Sequence, residues 1–162
     1  MTSQQFALAL AMCLTGLMAG IFFTWSNAVK PGIGQLSDLE YLKSFQSMNR
    51  VILNPSFKTL FIGAIVSTVI VPICYFNSSQ KYIFWFVLIA FLIYWLGVFI
   101  ITVLGNIPLN EILDKSNLEG MSVKELQHLR VSIERKWNNY NLIRSISSVV
   151  TFLLLMTSTF YQ

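Results

Sequence analysis

Four long apolar runs divide this sequence, at about residues 5–25, 55–76, 82–104 and 140–160. A bilayer's hydrocarbon core of about 30 Å is crossed by about 20 residues of helix, and each run supplies them. Inside lipid a chain segment must satisfy its own backbone hydrogen bonds, so the runs are predicted to be helices. Only 11% of the 162 residues are charged and 55% are hydrophobic, whereas a soluble domain carries about 25% charged residues. The expected fold is all-α: an integral membrane four-helix bundle in which residues 1–162 form one transmembrane domain.

The charges between the runs give an orientation. Lys30, Lys43, Arg50 and Lys58 lie in or beside the first loop, and Lys115, Lys124, Arg130, Arg135, Lys136 and Arg144 in or beside the third. The second loop has only Lys81. By the positive-inside rule, loops 1 and 3 are cytoplasmic and both termini outside, in a multi-pass protein of the cell (inner) membrane. With this topological meaning, the net charge of +4 is no signature of nucleic-acid binding. No basic stretch precedes Lys30, so the first run is read as a retained helix, not a signal peptide.

Both charged loops carry helix signals. Ser37–Glu40 and Ser122–Glu125 have the capping-box pattern, each followed by apolar residues at helical spacing: Leu42, Phe45, Met48 and Ile52, then Leu126, Leu129, Ile133 and Trp137. Two cytoplasmic amphipathic helices are expected, lying against the bundle or the interface. Nothing separates the second from the fourth run, so the two can form one long helix. Asn54-Pro55 suits an N-cap followed by the first helical position, Pro72 is expected to kink the second span, and Gly16 and Gly20 form a GxxxG pair for close helix approach. Cys13 and Cys74 lie in apolar runs and His128 is the one histidine. Both cysteines are read as small buried hydrophobes and His128 as solvated; no disulfide framework, metal or cofactor is expected.

Polar residues gather at one end of all four runs: Trp25 and Ser26; Asn49, Arg50 and Asn54; Asn106 and Asn110; Trp137, Asn138, Asn141 and Arg144. Trp137, Asn141 and Arg144 are four and three residues apart, hence on one helix face. Asn106 and Asn110 share a face if the helix continues through Pro108. Arg144 sits at least a turn inside the fourth run, where it either snorkels to the interface or faces the bundle interior. Asn54 reads as a cap more than as a ligand contact. Four segments bringing amides or charge to one depth point to a polar pocket at the cytoplasmic mouth.

The same segments resemble the anthrone-oxygenase-like family of small four-helix membrane proteins. The carrying residues are Gly20 to Ser26, Val29-Lys30-Pro31-Gly32, Met48-Asn49, Asn54-Pro55-Ser56-Phe57, Gly63, Asn106-Ile107-Pro108-Leu109-Asn110, and Trp137 with Asn141 and Arg144. Lys30 stands where a Met is common in the family. The resemblance implies oxidation of an anthrone-like substrate at its central methylene.

Two functions follow as expectations. One is a membrane-embedded oxygenase or oxidase of a lipophilic phenolic or polycyclic substrate, without a tightly bound cofactor. Arg144, Asn141, Asn106 and Asn110 would then stabilise the reacting oxyanion, while Trp25, Ser26, Asn49, Asn54 and Trp137 bind the substrate. The other is a non-catalytic membrane subunit or a lipid- or small-molecule-binding module. A transporter fits less well, since no internal repeat is visible. The expected partners are membrane lipid and a lipophilic small molecule, and beyond these a homo-oligomer or a membrane-protein partner.

Overall fold

A computed structural model describes residues 2–161, with no strand among them. Five helices follow one another: α1 (Ser3–Ile33), α2 (Asp38–Ile52), α3 (Pro55–Tyr75), α4 (Lys81–Lys115) and α5 (Val123–Tyr161). All but α2 are long and apolar enough to cross a membrane. The protein is therefore all-α with four candidate spans.

Two spans overrun their expected ends, and both do so in the same way. In α1 the turn Trp25–Val29 is π-helical and Pro31 follows; in α4 the turn Thr102–Asn106 is π-helical and Pro108 follows. A proline lacks an N–H and its ring crowds the carbonyl four residues back. A preceding turn bonded to the fifth residue back absorbs that mismatch, as in Lys30 N–H to Trp25 O and Ile107 N–H to Thr102 O, and the helix runs on. In α5, one α-helix extends from Val123 to Ser158, so the capping-box segment and the fourth apolar run are continuous. Helix α3 likewise runs through Pro72 to Tyr75.

The caps form as read. Ser37 and Glu40, and Ser122 and Glu125, make reciprocal capping boxes. Hydrogen bonds from the Ser37 side chain, then from its backbone, hold the Glu40 carboxyl below its ordinary value. That contribution is present above the ordinary carboxylate pKa and fades as pH falls through the lowered one. Asn54 Oδ1 accepts from Phe57 N at 2.9 Å, with Pro55 at the first helical position. Asn54→Ala is expected to cost about 1 kcal/mol, read as a lower unfolding midpoint in detergent.

Packing is layered along the bundle. Leu8, Ala11, Val71, Ile83, Val87 and Leu155 form one core cluster, and Met18, Phe22, Ala64, Tyr94 and Val98 the next. The third joins Tyr41, Leu42 and Phe45 of α2 to Leu113, Ile133 and Trp137. Arg130 fastens α2 and its approach to α5: it donates to Gly34 O and Leu36 O, pairs with Asp38 and Glu134, and lies over the Tyr41 ring at 4.3 Å. Outward faces carry exposed large apolar side chains such as Phe6, Ile62, Trp85 and Ile146, the surface that a lipid solvent permits.

Two expectations are corrected here. Of the GxxxG pair, Gly16 abuts the Phe152 ring, where a Cβ would sit 3.2 Å away, but Gly20 faces open space. Close approach to α5 therefore uses one glycine of the pair, with Ala11, Thr15, Met18 and Ala19 buried beside it. Cys13 is exposed on the outer face and Cys74 half-buried; both are free. Cys13 is thus not the buried hydrophobe that its apolar run implied, because its position on α1 faces away from the bundle.

Candidate functional site

The two larger cavities differ in character. A groove of about 610 Å³ between α1 and α5, lined by Cys13, Gly16 and Phe152 among others, has no charged side chain. The other, of about 590 Å³, lies among all five helices at the end where the polar residues gather. Its size is that of a small-molecule pocket, mostly apolar with a few converging polar groups.

Of the nine residues singled out from sequence, Trp25, Asn49, Asn54, Asn106, Asn110, Trp137, Asn141 and Arg144 line this second cavity. Ser26 does not, but its hydroxyl accepts from Asn141 Nδ2 at 3.0 Å. Asn54 is at the rim, exposed, with both ends of its amide engaged locally: Oδ1 with Phe57 N and Nδ2 with Val51 O. Its place in the structure is that of a cap beside the pocket.

Arg144 faces the interior and does not snorkel; it is 6% exposed. Its two terminal nitrogens donate to Asn141 Oδ1 at 2.9 Å and to Thr102 Oγ1 at 3.4 Å. The guanidinium lies 4.5 Å from the centre of the Phe22 ring and 5.3 Å from that of Trp137. Aromatic faces attract a cation by about 0.5–2 kcal/mol each, more when desolvated. Among the described residues Arg144 has no carboxylate partner. It is a buried cation held by neutral groups, an expensive arrangement for folding alone.

The surrounding residues brace it. Asn141 Nδ2 also donates to Phe22 O at 3.0 Å, where α1 begins to widen. Trp137 Nε1 donates to Asn110 Oδ1 at 2.6 Å, and Trp137 O accepts from Asn106 Nδ2 at 3.3 Å. Trp25 Nε1 donates to Asn138 Oδ1 at 2.9 Å. The Trp25 and Trp137 rings meet at 4.4 Å, and both pack on Phe45 at about 5 Å. The indoles therefore form one wall together instead of standing as separate interfacial anchors. Asn106 and Asn110 do share a face, because the helix continues past Pro108.

Two members, Thr102 and Phe22, and one pairing were not found from the sequence. Thr102 bonds Arg144; it lies four residues before Asn106, which lies four before Asn110, so extending that spacing by one step finds it. Asn138 was noticed, yet without its pairing to Trp25. Phe22, beneath the guanidinium, lies in an apolar run whose residues look alike, and no local signal marks it.

The lining contains Arg144 and Lys58 and no Asp, Glu or His. Its polar groups are amide, hydroxyl, indole, ammonium and guanidinium, a set that suits an oxyanion better than a first-row metal ion. Among the described residues no group of three or more His, Cys, Asp or Glu comes together.

A family model described as anthrone oxygenase matches residues 46–154. That stretch holds seven of the nine site residues; Trp25 and Ser26 precede it. No curated protein and no solved structure matches the chain.

Proposed function

The chain belongs to the anthrone oxygenase family, and from that premise we propose that it is a membrane-embedded oxygenase of lipophilic phenolic or polycyclic, anthrone-like ketones. The observation that carries the reading is Arg144: a buried cation with no counter-anion among the described residues, lining a cavity of ligand size. A bound oxyanion would supply the missing charge.

The proposed chemistry needs no tightly bound cofactor. The ketone's methylene, flanked by aromatic rings, loses one proton, and the charge moves to the carbonyl oxygen beside Arg144. Stabilisation of that oxygen in a low-dielectric site lowers the acidity barrier. The electron-rich carbanion form passes an electron to O2 and the two radicals join in a C–O bond. Loss of the second methylene proton with cleavage of the O–O bond leaves a carbonyl and releases water. One ketone and one O2 thus give one quinone and one water. No carboxylate or histidine lines the cavity, so the first proton leaves to water at the mouth, and turnover follows ionisation of the substrate.

Asn141 and Thr102 hold the guanidinium in place, and the Trp25–Trp137 wall offers aromatic faces to a flat ring system. Loops 1 and 3, and with them the cavity mouth, are assigned to the cytoplasmic side of the cell membrane on the charge bias, with both termini outside and α2 on the cytoplasmic side. Substrate would partition into lipid first and reach the pocket from there.

The test is oxygen uptake by purified protein in detergent, given anthrone, beside a blank without protein because anthrones oxidise unaided. Saturable uptake above the blank, rising with pH as the substrate ionises, is expected. A rate equal to the blank would remove the anthrone reading.

A second reading has its own support. The same polar side chains tie α1, α4 and α5 together, through Asn141 to Phe22 O, Trp25 to Asn138 and Trp137 to Asn110. A non-catalytic module binding lipid or a small molecule, or a subunit of a larger membrane assembly, would use the cluster as a brace. In that case loss of Arg144 would first be seen as loss of folding.

A further inference from the structure

The cavity beside Arg144 reaches the surface of the bundle between α3 and α4. The spans touch in a ring, α1 to α3 to α4 to α5 and back to α1. In that ring α3 packs on α4 along residues 81–94 and makes no comparable contact with it from Trp95 onward among the described residues. The two helices therefore part toward the end where α2 lies. Helical phase gives the same side. Gly63 of α3 meets Leu14 of α1, where a Cβ would sit 3.2 Å from that side chain. Phe61 and Lys58, two and five residues earlier, lie about 160° and 140° round the helix from Gly63, away from α1, and both line the cavity.

The rim of this gap is apolar and faces outward. Val51, Leu53, Ile62 and Ile107 line the cavity, yet they are 68%, 59%, 57% and 42% exposed. Ile62 is seven residues past Pro55, about 10 Å along the axis of α3, in a helix apolar enough to cross a membrane. What surrounds it at that depth is hydrocarbon. Lys58, one turn nearer the helix start, is exposed and has no ion-pair partner among the described residues. With Asn54 it marks the headgroup level, within reach of water.

Helix α2 covers the cavity from the other side and is fastened unevenly. Its first half is buried through Tyr41, Leu42 and Phe45. Its second half is tied to the end of α4, by Gln46 Nε2 donating to Leu113 O at 2.8 Å and by the Arg50–Asp114 pair. Asn49 Nδ2, on this half, is buried without a hydrogen-bond partner. No polar contact of Asn49 pins the inner face of α2, and the corner at residues 51–53 overhangs the gap.

We propose that this gap is a lateral portal, through which an uncharged apolar molecule dissolved in the leaflet on α2's side enters the cavity between Ile62 and Ile107. An ionised molecule is refused, because charge is costly to carry through lipid. The inference concerns access, and it holds whether the protein oxidises what it admits or only binds it.

The experiment uses the protein in lipid nanodiscs, with Cys13→Ser and Cys74→Ser and one cysteine in the cavity, Phe61→Cys. Three small methanethiosulfonates are compared: benzyl, which partitions into lipid, and the sulfonatoethyl and trimethylammonioethyl reagents, which stay in water. Each rate is taken relative to the same reagent's on Gln127→Cys, which is exposed near the start of α5. The benzyl reagent is expected to be faster by about tenfold or more than both charged ones, and Ile107→Trp, which fills the gap, is expected to slow it several-fold. A charged reagent of either sign reacting as readily as benzyl would mean a mouth open to water and would overturn the portal. So would a benzyl rate unchanged by Ile107→Trp, which places entry elsewhere, or labelling by none of the three. Asn49→Cys repeats the comparison if Phe61→Cys does not fold. No substrate is used, so failure here leaves the oxygenase reading standing, and failure of anthrone turnover leaves the portal standing.

Discussion

Arg144→Met is expected to lose about two to three orders of magnitude in kcat while unfolding at the same temperature as the wild type or higher. Removing one preorganised donor to a developing oxyanion costs about 10²–10³ in rate in enzymes that depend on it. Stability moves the other way. The guanidinium is buried and lacks a carboxylate among the described residues, and replacing such charge by an apolar side chain of similar volume is often neutral or stabilising by about 1–4 kcal/mol. Asn141 Oδ1 loses its partner in the variant, which offsets part of the gain. Arg144→Lys should fall between, since it keeps the charge but not the flat fork that spans Asn141 and Thr102. The checks are anthrone-dependent oxygen uptake and the thermal midpoint, measured on the same preparation. If Arg144→Met fails to fold, the cluster is a brace and the binding-module reading takes precedence.

Gly97→Ala is expected to destabilise the bundle by about 3 kcal/mol, the upper part of the overpacking range. A methyl built on Gly97 would overlap both Oγ and Cβ of Ser147 on α5. The Cβ is fixed to the helix backbone, so rotating the hydroxyl away does not relieve the clash. Here α4 and α5 touch almost backbone to backbone, as small residues allow in membrane bundles. Ser147→Gly in the same chain should restore most of the loss, and thermal unfolding of the two single variants and the double variant measures the coupling. Additive effects would show that α4 moves away as a whole and that the contact is not specific.

Length and hydropathy carry the four spans because lipid leaves a chain few alternatives. Capping residues carry the starts of α2, α3 and α5 because each satisfies an otherwise orphaned N–H. The ends of α1 and α4 were not readable: Pro31 and Pro108 look like stops, and nothing in the local sequence announces the wider turns that let the helices pass them. Most of the site was legible. Asn and Arg are costly in a span, so Asn106, Asn141 and Arg144 stand out against their neighbours, and helical spacing groups them. Phe22 was invisible as a site member, since an aromatic residue in an apolar run looks like any core residue until its neighbours are known. The glycines misled in the other direction. Gly16 and Gly20 form a motif, yet the tightest contact falls to Gly97, which belongs to none.

The two π-helical turns that precede Pro31 and Pro108 have a genetic consequence. A π turn is an α-helix with one residue too many for its rise, so the excess residue is accommodated locally and the two halves of the helix keep separate phases. Deleting one residue from 25–29 or from 102–106 would take out that excess residue and leave the two halves on their present faces, but it would return the proline ring to the carbonyl four residues back. In an indel scan, single deletions in these two short windows should therefore weaken the fold by about 3 kcal/mol, the cost of a proline inside a regular helix, while substitutions at their exposed positions, Asn27 and Val103 for instance, pass nearly unnoticed.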